Sequence, residues 1–275
     1  MLIDATKGFE LKENSEVNTN DEEKLIKISV ITAVYNRKET ISRALLSIKK
    51  QSYSNIEVIV VDGNSSDGTQ DIVRSVLGSD DCFITEPDEG IYDALNKGIQ
   101  AATGDVICFL HSDDFYESEN SLLTIAQVFK NDVDVDVVYG DVSFFSQNNT
   151  NRVVRVYRST KLTKGNLSWG KMPAHPAIFI RKDVYSVLGL FKTHYQIAAD
   201  YEFLCRMMTS MSIKSVYVRG VIVRMQVGGI STSGLRSTIL LNKEVLRACQ
   251  DNGLKTNILM LLSKYPSKLL QLLRK

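Results

Sequence analysis

The run "KISVITAVYN" (27–36) decides the fold: a continuous, β-rich apolar segment that stops at a polar turn reads as a buried strand. Outward from it, "RKETISRALLSIKKQ" (37–51) has helical spacing, and "IEVIVVDGNSSDGT" (56–69) is a second such strand ending in a glycine-bearing loop. "QDIVRSVLG" (70–78) is helical again, and "CFITEP" (82–87), the helix "GIYDALNKGIQAAT" (90–103) and the strand "DVICFLHSDD" (105–114) extend the alternation. Apolar strands alternating with helices predict an α/β fold, with a Rossmann-like, mostly parallel sheet covered on both faces. Such sheets bind ligands beyond the carboxyl ends of their strands. That rule gathers Asn36, Asp62, Asp67, Asp113 and Asp114 along one edge.

The remainder reads as a mixed half: helix "NSLLTIAQVFK" (120–130), strands "DVVYGDVSFF" (136–145) and "NRVVRVYR" (151–158), a loop through "GKMPAHPAIFIRK" (170–182), helix "DYEFLCRMMTSM" (200–211) and strand "SVYVRGVIVRM" (215–225). Residues 1–25 are polar, acidic and aperiodic, and are expected to form a mobile extension. One domain should span 26–234, followed by a basic amphipathic helical region over 235–275. In that region Leu259, Leu262, Leu269, Leu270 and Leu273 lie among Lys264, Lys268, Arg274 and Lys275. Such a helix can rest peripherally on an anionic membrane surface or pack on its own domain, and Pro266 should kink or divide it.

Composition excludes several classes. A 275-residue chain that is 44% hydrophobic and 24% charged, with a formal net charge of +1, lacks the basic footprint of a nucleic-acid binder. Cys82, Cys108, Cys205 and Cys249 form no CxxC pair, which reads as buried thiols in a reducing compartment rather than zinc ligands. There is no signal-peptide pattern and no run of ~20 apolar residues, so a cytoplasmic protein, peripheral at most, is expected. The matches to the glycosylation pattern at Asn64 and Asn166 are read as chance.

Two adjacent carboxylates at the mouth of a buried strand need a cation, a basic partner or open water. A divalent ion bridging Asp113 to a pyrophosphate is one answer, with hard oxygen ligands favouring Mg2+ or Mn2+. "SDD" as the cap of the following helix is the other. Asp62 and Asp67 are likewise turn formers or ligand contacts. Their coincidence at one edge favours a ligand.

These residues carry a family resemblance. "ISVITAVYNRKETISRALLSIKKQSYSNIEVIVVDGNSSDGT" followed by "NKGIQAATGDVICFLHSDD" resembles glycosyltransferase family 2, inverting nucleotide-sugar transferases of the GT-A fold, over about Ile28 to Gly229. The resemblance implies a nucleotide-binding half over about 26–115, an acceptor half over 116–234, a nucleotide-diphosphate sugar donor, with a UDP-sugar favoured, and Mn2+ or Mg2+. It implies that Thr32, Val34 and Asn36 form the first nucleotide-contacting loop, with Asp62 reading base and ribose and Asp67 serving the same nucleotide. Asp113 takes the place of the metal-coordinating acid, supported by Asp114 and flanked by Ser112. "DEGIYDALNKG" looks like the subset that builds bacterial surface polysaccharides on lipid-linked glycan acceptors, which would set Asp88, Tyr92, Asp93 and Asn96 on the donor side. In "IAADYEFLCRM", Asp200 falls at the position of the catalytic base.

The sequence departs from the family at three places. His111 replaces the first acid of the Asp-x-Asp motif, Gly63 replaces the second acid of the Asp-Asp-Gly-Ser loop, and Leu95 replaces a frequent arginine, leaving Lys97 as a substitute phosphate contact. His175 is either an orienting group for donor or acceptor or a satisfied loop histidine. "RMQVGGISTSG" (224–234) could close over the donor, and Trp169 could offer an apolar wall or belong to the core. The alternative function is a non-catalytic nucleotide-sugar-binding or scaffold protein of the same fold. A dinucleotide dehydrogenase is excluded because no G-x-G-x-x-G follows the first strand.

Overall fold

The computed structural model describes residues 2–4, 25–147, 149–228 and 234–263. The β-rich run becomes β2 (Ile28–Val34), which pairs in parallel with β3 (Ile56–Asp62) on one side and β5 (Val106–Phe109) on the other. β4 (Cys82–Thr85) adds in parallel outside β3. Strand alternation sends Val30, Val58 and Val60 into one core and Ile31, Ile59 and Val61 into another, so both faces demand a cover. The first face is covered by α1 (Ile41–Lys49), α2 (Thr69–Val76) and α4 (Ser121–Asn131) through Leu45, Val73 and Phe129. The second is covered by α3 (Ile91–Ala101), which lies so close that a Cβ on Gly98 would collide with Ile31.

The full strand order is β1 (Leu2–Asp4), β10 (Ser215–Gln226), β7 (Val137–Ser146), β9 (Ile178–Arg181), then β5, β2, β3 and β4. Along this path only β9 among the described strands runs against its neighbours β5 and β7. Two further antiparallel strands attach, β6 (Phe115–Tyr116) to β10 and β8 (Asn149–Tyr157) to β7. The sheet is thus mostly parallel with a mixed second half, as the pattern predicts. On the α3 face lie α5 (Lys164–Ser168), α6 (Lys182–Leu188), α7 (Ala199–Ser210) and α8 (Leu235–Asp251), contributing Leu167, Tyr185, Leu204 and Val245 to one core. α9 (Ile258–Leu262) adds Leu261.

Two expectations change at the termini. Leu2–Asp4 is an edge strand in parallel register with Tyr217–Arg219, so this part of the expected mobile extension joins the sheet through backbone pairing; residues 5–24 lie outside the described residues. The helical region after 234 is present as α8 and α9, but Pro266 and the basic residues after it lie outside the described residues, as do residues 229–233 of the expected flap. Among the described residues no helix is long and apolar enough to cross a membrane.

At the sheet edge opposite the carboxylates, Glu57 ties β3 to the turn before β5. It accepts hydrogen bonds from the Ser29 hydroxyl, from Thr103 N (2.6 Å) and Oγ1 (2.7 Å), and from Gly104 N (2.8 Å), and pairs with Lys27 Nζ at 3.2 Å. Burial alone would push this carboxyl up, but the hydrogen bonds from Ser29, Thr103 and Lys27 bring it down to about 2. A pKa lowered on folding means that the unfolded chain takes up the proton first, so this stabilisation is complete above the unfolded value and is lost as pH falls toward 2. Chemical denaturation from pH 6 to 3 should show a steeper acid loss of stability in the native protein than in Glu57→Gln.

Candidate active site

The loops after β2 and β3 are built as one unit. Asn36 adopts a left-handed φ of 48°, which an asparagine tolerates. Its N–H donates to Ser65 Oγ (2.8 Å) and its Oδ1 accepts from Ser66 N (3.0 Å). Asp62 is fully buried. Its Oδ2 accepts from Ser65 N (2.9 Å), Gln70 Nε2 (2.9 Å) and Thr85 Oγ1 (3.0 Å), while its Oδ1 and the Thr32 hydroxyl are buried without a partner. Buried oxygens left unpaired beneath a ligand edge are places where a bound molecule or water completes the hydrogen bonding. Val34 is itself buried and shapes the loop through its carbonyl, which accepts from Gly63 N at 2.9 Å.

Asp67 differs from its expected role. Its Oδ1 accepts from Thr69 Oγ1 (2.6 Å) and Thr69 N (3.0 Å), and its Oδ2 accepts from Lys38 N (3.1 Å). Those bonds, led by the Thr69 hydroxyl, hold its pKa below the usual range, and both oxygens are committed to the turn that starts α2. At Gly63 a Cβ would meet the Asp88 carboxylate, whose Oδ1 accepts from Gly90 N at 2.9 Å and which would have to shift aside.

α3 requires two corrections. Asn96 is buried, its Nδ2 donating to Phe191 O (2.9 Å) and its Oδ1 accepting from Phe191 N (2.9 Å), so its amide is engaged in clamping a loop. Lys97 is held by Glu86 (2.9 Å), Asp93 (3.2 Å) and the Pro87 carbonyl (2.9 Å), which occupies both the ammonium and Asp93. Tyr92 reaches the other half: its hydroxyl donates to Ile197 O at 2.6 Å and lies 3.3 Å from Asp200 Oδ1.

After β5 the two acids separate. Asp114 turns inward, 2% exposed, and its Oδ1 accepts from Gln226 N at 3.0 Å while Oδ2 is buried without a partner. Burial and then the neighbouring Asp113 push its pKa well above the carboxylate range. It therefore sits under the edge rather than beside Asp113 as a second outward metal ligand. Arg43 of α1 stands behind both, donating to Asp113 O (2.8 Å) and Gln226 Oε1 (3.2 Å) and stacking over Phe145. Burial lowers the Arg43 pKa, and Asp113 and Asp114 act against that.

Beside this edge the structure brings together His111, His175 and Asp200. Asp200 lies in the first turn of α7, where its Oδ1 accepts from Tyr201 N at 2.8 Å. Burial raises it to about 6, against the opposing effects of the Tyr201 N–H, Tyr92 and His111. His175 stacks on Phe109 with ring centroids 4.9 Å apart and lies 5.8 Å from His111, and its Nε2 is buried without a partner. Burial lowers both imidazoles to about 4, His111 being further lowered by His175. A small apolar cavity lined by Phe109, His175, Tyr185, Phe191 and Phe203 adjoins Asp200. Trp169 is 44% exposed and does not belong to the core.

Among the described residues, no group of three or more His, Cys, Asp or Glu side chains forms a ready metal cage. Asp113, partly exposed at the strand end beside buried Ser112, is the donor suited to a hard ion that keeps waters and shares a diphosphate, a coordination that needs only one or two protein carboxylates.

Residues 29–189 match the family description "Glycosyl transferase family 2". The chain belongs to glycosyltransferase family 2. It is 29% identical over 228 residues to a "PGL/p-HBAD biosynthesis glycosyltransferase" of Mycobacterium bovis, covering 80% of this chain and 82% of that one. It is 31% identical over 188 residues to the glycosyltransferase AglE of Haloferax volcanii, covering 65% and 60%. Among solved structures, S. aureus TarS 1–349 in complex with UDP-GlcNAc superposes with a TM-score of 0.62 at 22% identity, covering 80% of this chain and 67% of that chain. In another structure of TarS 1–349 the match spans 65% of that chain. Glucosyl-3-phosphoglycerate synthase from Mycobacterium tuberculosis, in complex with Mn2+, UDP and phosphoglyceric acid, gives 0.58 at 15% identity, covering 81% and 78%. These likenesses establish the GT-A fold for this glycosyltransferase.

Sequence reasoning missed Arg43 and Gln226. Arg43 carried a weak signal, a cation on the first helix facing a pair of acids; Gln226 shows only once β10 is placed. The two lowered histidines give a direct check. Imidazole NMR signals of His111 and His175 should stay in their neutral positions from pH 8 down to about 5, where an ordinary histidine is mostly protonated.

Proposed function

We propose that this glycosyltransferase is an inverting, metal-dependent enzyme that moves a hexose-type sugar from a nucleotide diphosphate, a UDP-sugar foremost, to a hydroxyl of a lipid-linked glycan in surface-polysaccharide biosynthesis. The observation that carries it is the separation of two half-buried acids, Asp113 at the sheet edge and Asp200 lining the adjoining apolar cavity with its pKa raised to about 6. A single displacement needs one carboxylate for the leaving side and another for the incoming hydroxyl. Asp200 takes the acceptor proton as the acceptor oxygen bonds to the anomeric carbon and the bond to the diphosphate breaks on the opposite face. The Tyr201 N–H holds Asp200 Oδ1, which directs its other oxygen to the acceptor, and the Tyr92 hydroxyl, donating to Ile197 O, lies beside it. His175, kept neutral, offers Nε2 to a sugar hydroxyl. Asn36, Asp62 and Thr32 form the nucleoside side, and Asp113 would hold the divalent ion, whose chemistry is to neutralise the departing diphosphate.

Donor and metal rest on the structural neighbours. TarS is bound to UDP-GlcNAc and the M. tuberculosis synthase to UDP and Mn2+, whereas a Pyrobaculum calidifontis mannosyltransferase of TM-score 0.57 is bound to GDP-Man and Mn2+. A peripheral seat at the inner face of the cytoplasmic membrane is supported by Ile258, Leu259 and Leu262, all exposed on α9. Thr256 donates to Ser168 O at 2.7 Å and sets that helix beside Trp169, also exposed.

Calorimetric titration with UDP and GDP, with Mn2+ and again with EDTA, tests the donor side. UDP should bind only with metal, and Asp113→Ala should lose that binding. Asp200→Asn should keep it within about twofold while turnover falls by about 10²–10⁴. Donor binding without any donor turnover, hydrolysis included, would favour the non-catalytic reading. Because the base must be ionised, kcat/KM should be flat above pH 7 and fall about tenfold per pH unit below about 6.

A further inference from the structure

The segment that delivers Asp200 does not hold itself. α7 begins without a side-chain cap, its N-cap position being Ala198, and the residues leading into it are held from α8. Glu244 is 8% exposed; its Oε1 accepts from Gln196 N (2.8 Å), and its Oε2 accepts from Ile197 N (2.9 Å) and Ala198 N (2.9 Å). Three backbone amides converge on one carboxylate, a charge-assisted arrangement stronger than neutral capping. On the other side of the same segment the Tyr92 hydroxyl donates to Ile197 O at 2.6 Å. Residues 196–198 are thus gripped from both flanks, ending two positions before Asp200.

Packing makes the grip rigid. Val245, Ala248 and Cys249 of α8 join the same core as Tyr201, Leu204 and Cys205 of α7, so Glu244 arrives on a helix already docked against its target. α8 lies beyond residues 29–189, the part of the chain that matches the family description.

We propose that Glu244 is a positioning residue for Asp200: by binding the amides of Gln196, Ile197 and Ala198 it fixes the segment that enters α7 and, through it, the direction in which the base points. The proposal rests on the reading of Asp200 as the base. Small displacements of a reacting group are costly in rate, whereas the hydrogen bonds of Glu244 go to residues 196–198 and to none of Asn36, Asp62 or Asp113.

The test compares Glu244→Gln, Glu244→Asp and the exposed-site control Lys243→Gln in the full chain. Glutamine preserves volume but turns an amide NH2 toward N–H donors, and aspartate draws the carboxylate back by one methylene. Expected for Glu244→Gln is a kcat lower by about 10–100-fold with donor KM and Mn2+-dependent UDP binding within about twofold. Amide exchange of residues 196–198, read by mass spectrometry without substrate, should be at least about tenfold faster. Glu244→Asp should recover part of both, and Lys243→Gln should change neither. Unchanged exchange at 196–198 in Glu244→Gln, kcat within twofold of native, or a loss of UDP binding equal to the loss of kcat overturns the proposal. Full activity of Asp200→Asn would overturn the base assignment, and with it the link to catalysis. The exchange measurement tells the two failures apart, because it needs no turnover.

Discussion

Two carboxylates in succession cannot both face a site and both be buried, and the chain resolves this after β5 by sending them opposite ways. Asp114 goes under the sheet edge to the Gln226 amide with Arg43 nearby, and Asp113 stays at the surface. The cost of burying one acid is met by elements far apart in sequence: α1 brings the guanidinium and the end of β10 brings the amide. Both must be seated before the edge can present a single outward charge. The site therefore depends on the completed sheet, and not on the loop that carries the acids.

The same logic runs through the loop after β3. Asp62 sits at the end of a buried strand and is held on one oxygen by three donors, leaving the other for whatever lies above it. Asp67 looks equivalent in sequence but is consumed by its own turn. Two aspartates five positions apart thus divide into one with an unpaired buried oxygen and one held on both oxygens by its own turn, and burial together with donor count makes the division.

Much of this was legible before any coordinates. Continuous apolar runs such as 28–34 and 56–62 can only be strands buried on both faces, and helical segments between them force parallel pairing, so the edge holding Asn36, Asp62 and Asp113 followed. Asp200 was legible through family resemblance. The fates of Asn96 and Lys97 were not, because they depend on the Phe191 backbone and on Glu86, partners chosen by how the helix rotates against the sheet. The pairing of Leu2–Asp4 with β10 was hidden for a related reason: an edge strand is recruited by backbone groups, which leave no side-chain pattern.

The Asn96 clamp carries a broader consequence. Its side-chain amide imitates a strand partner for Phe191, and one turn away Tyr92 reaches Ile197, so α3 is stitched at two points to the segment leading into α7. With one continuous sheet beneath, the halves meet as a welded joint and not as a hinge. On the proposed reading, the spacing between Asp113 and Asp200 is then a fixed dimension of the scaffold, like the gap of a caliper locked at one setting. Acceptors would be selected by whether their hydroxyl spans that gap, and the ordering entropy of assembling the site is met during folding instead of at each turnover.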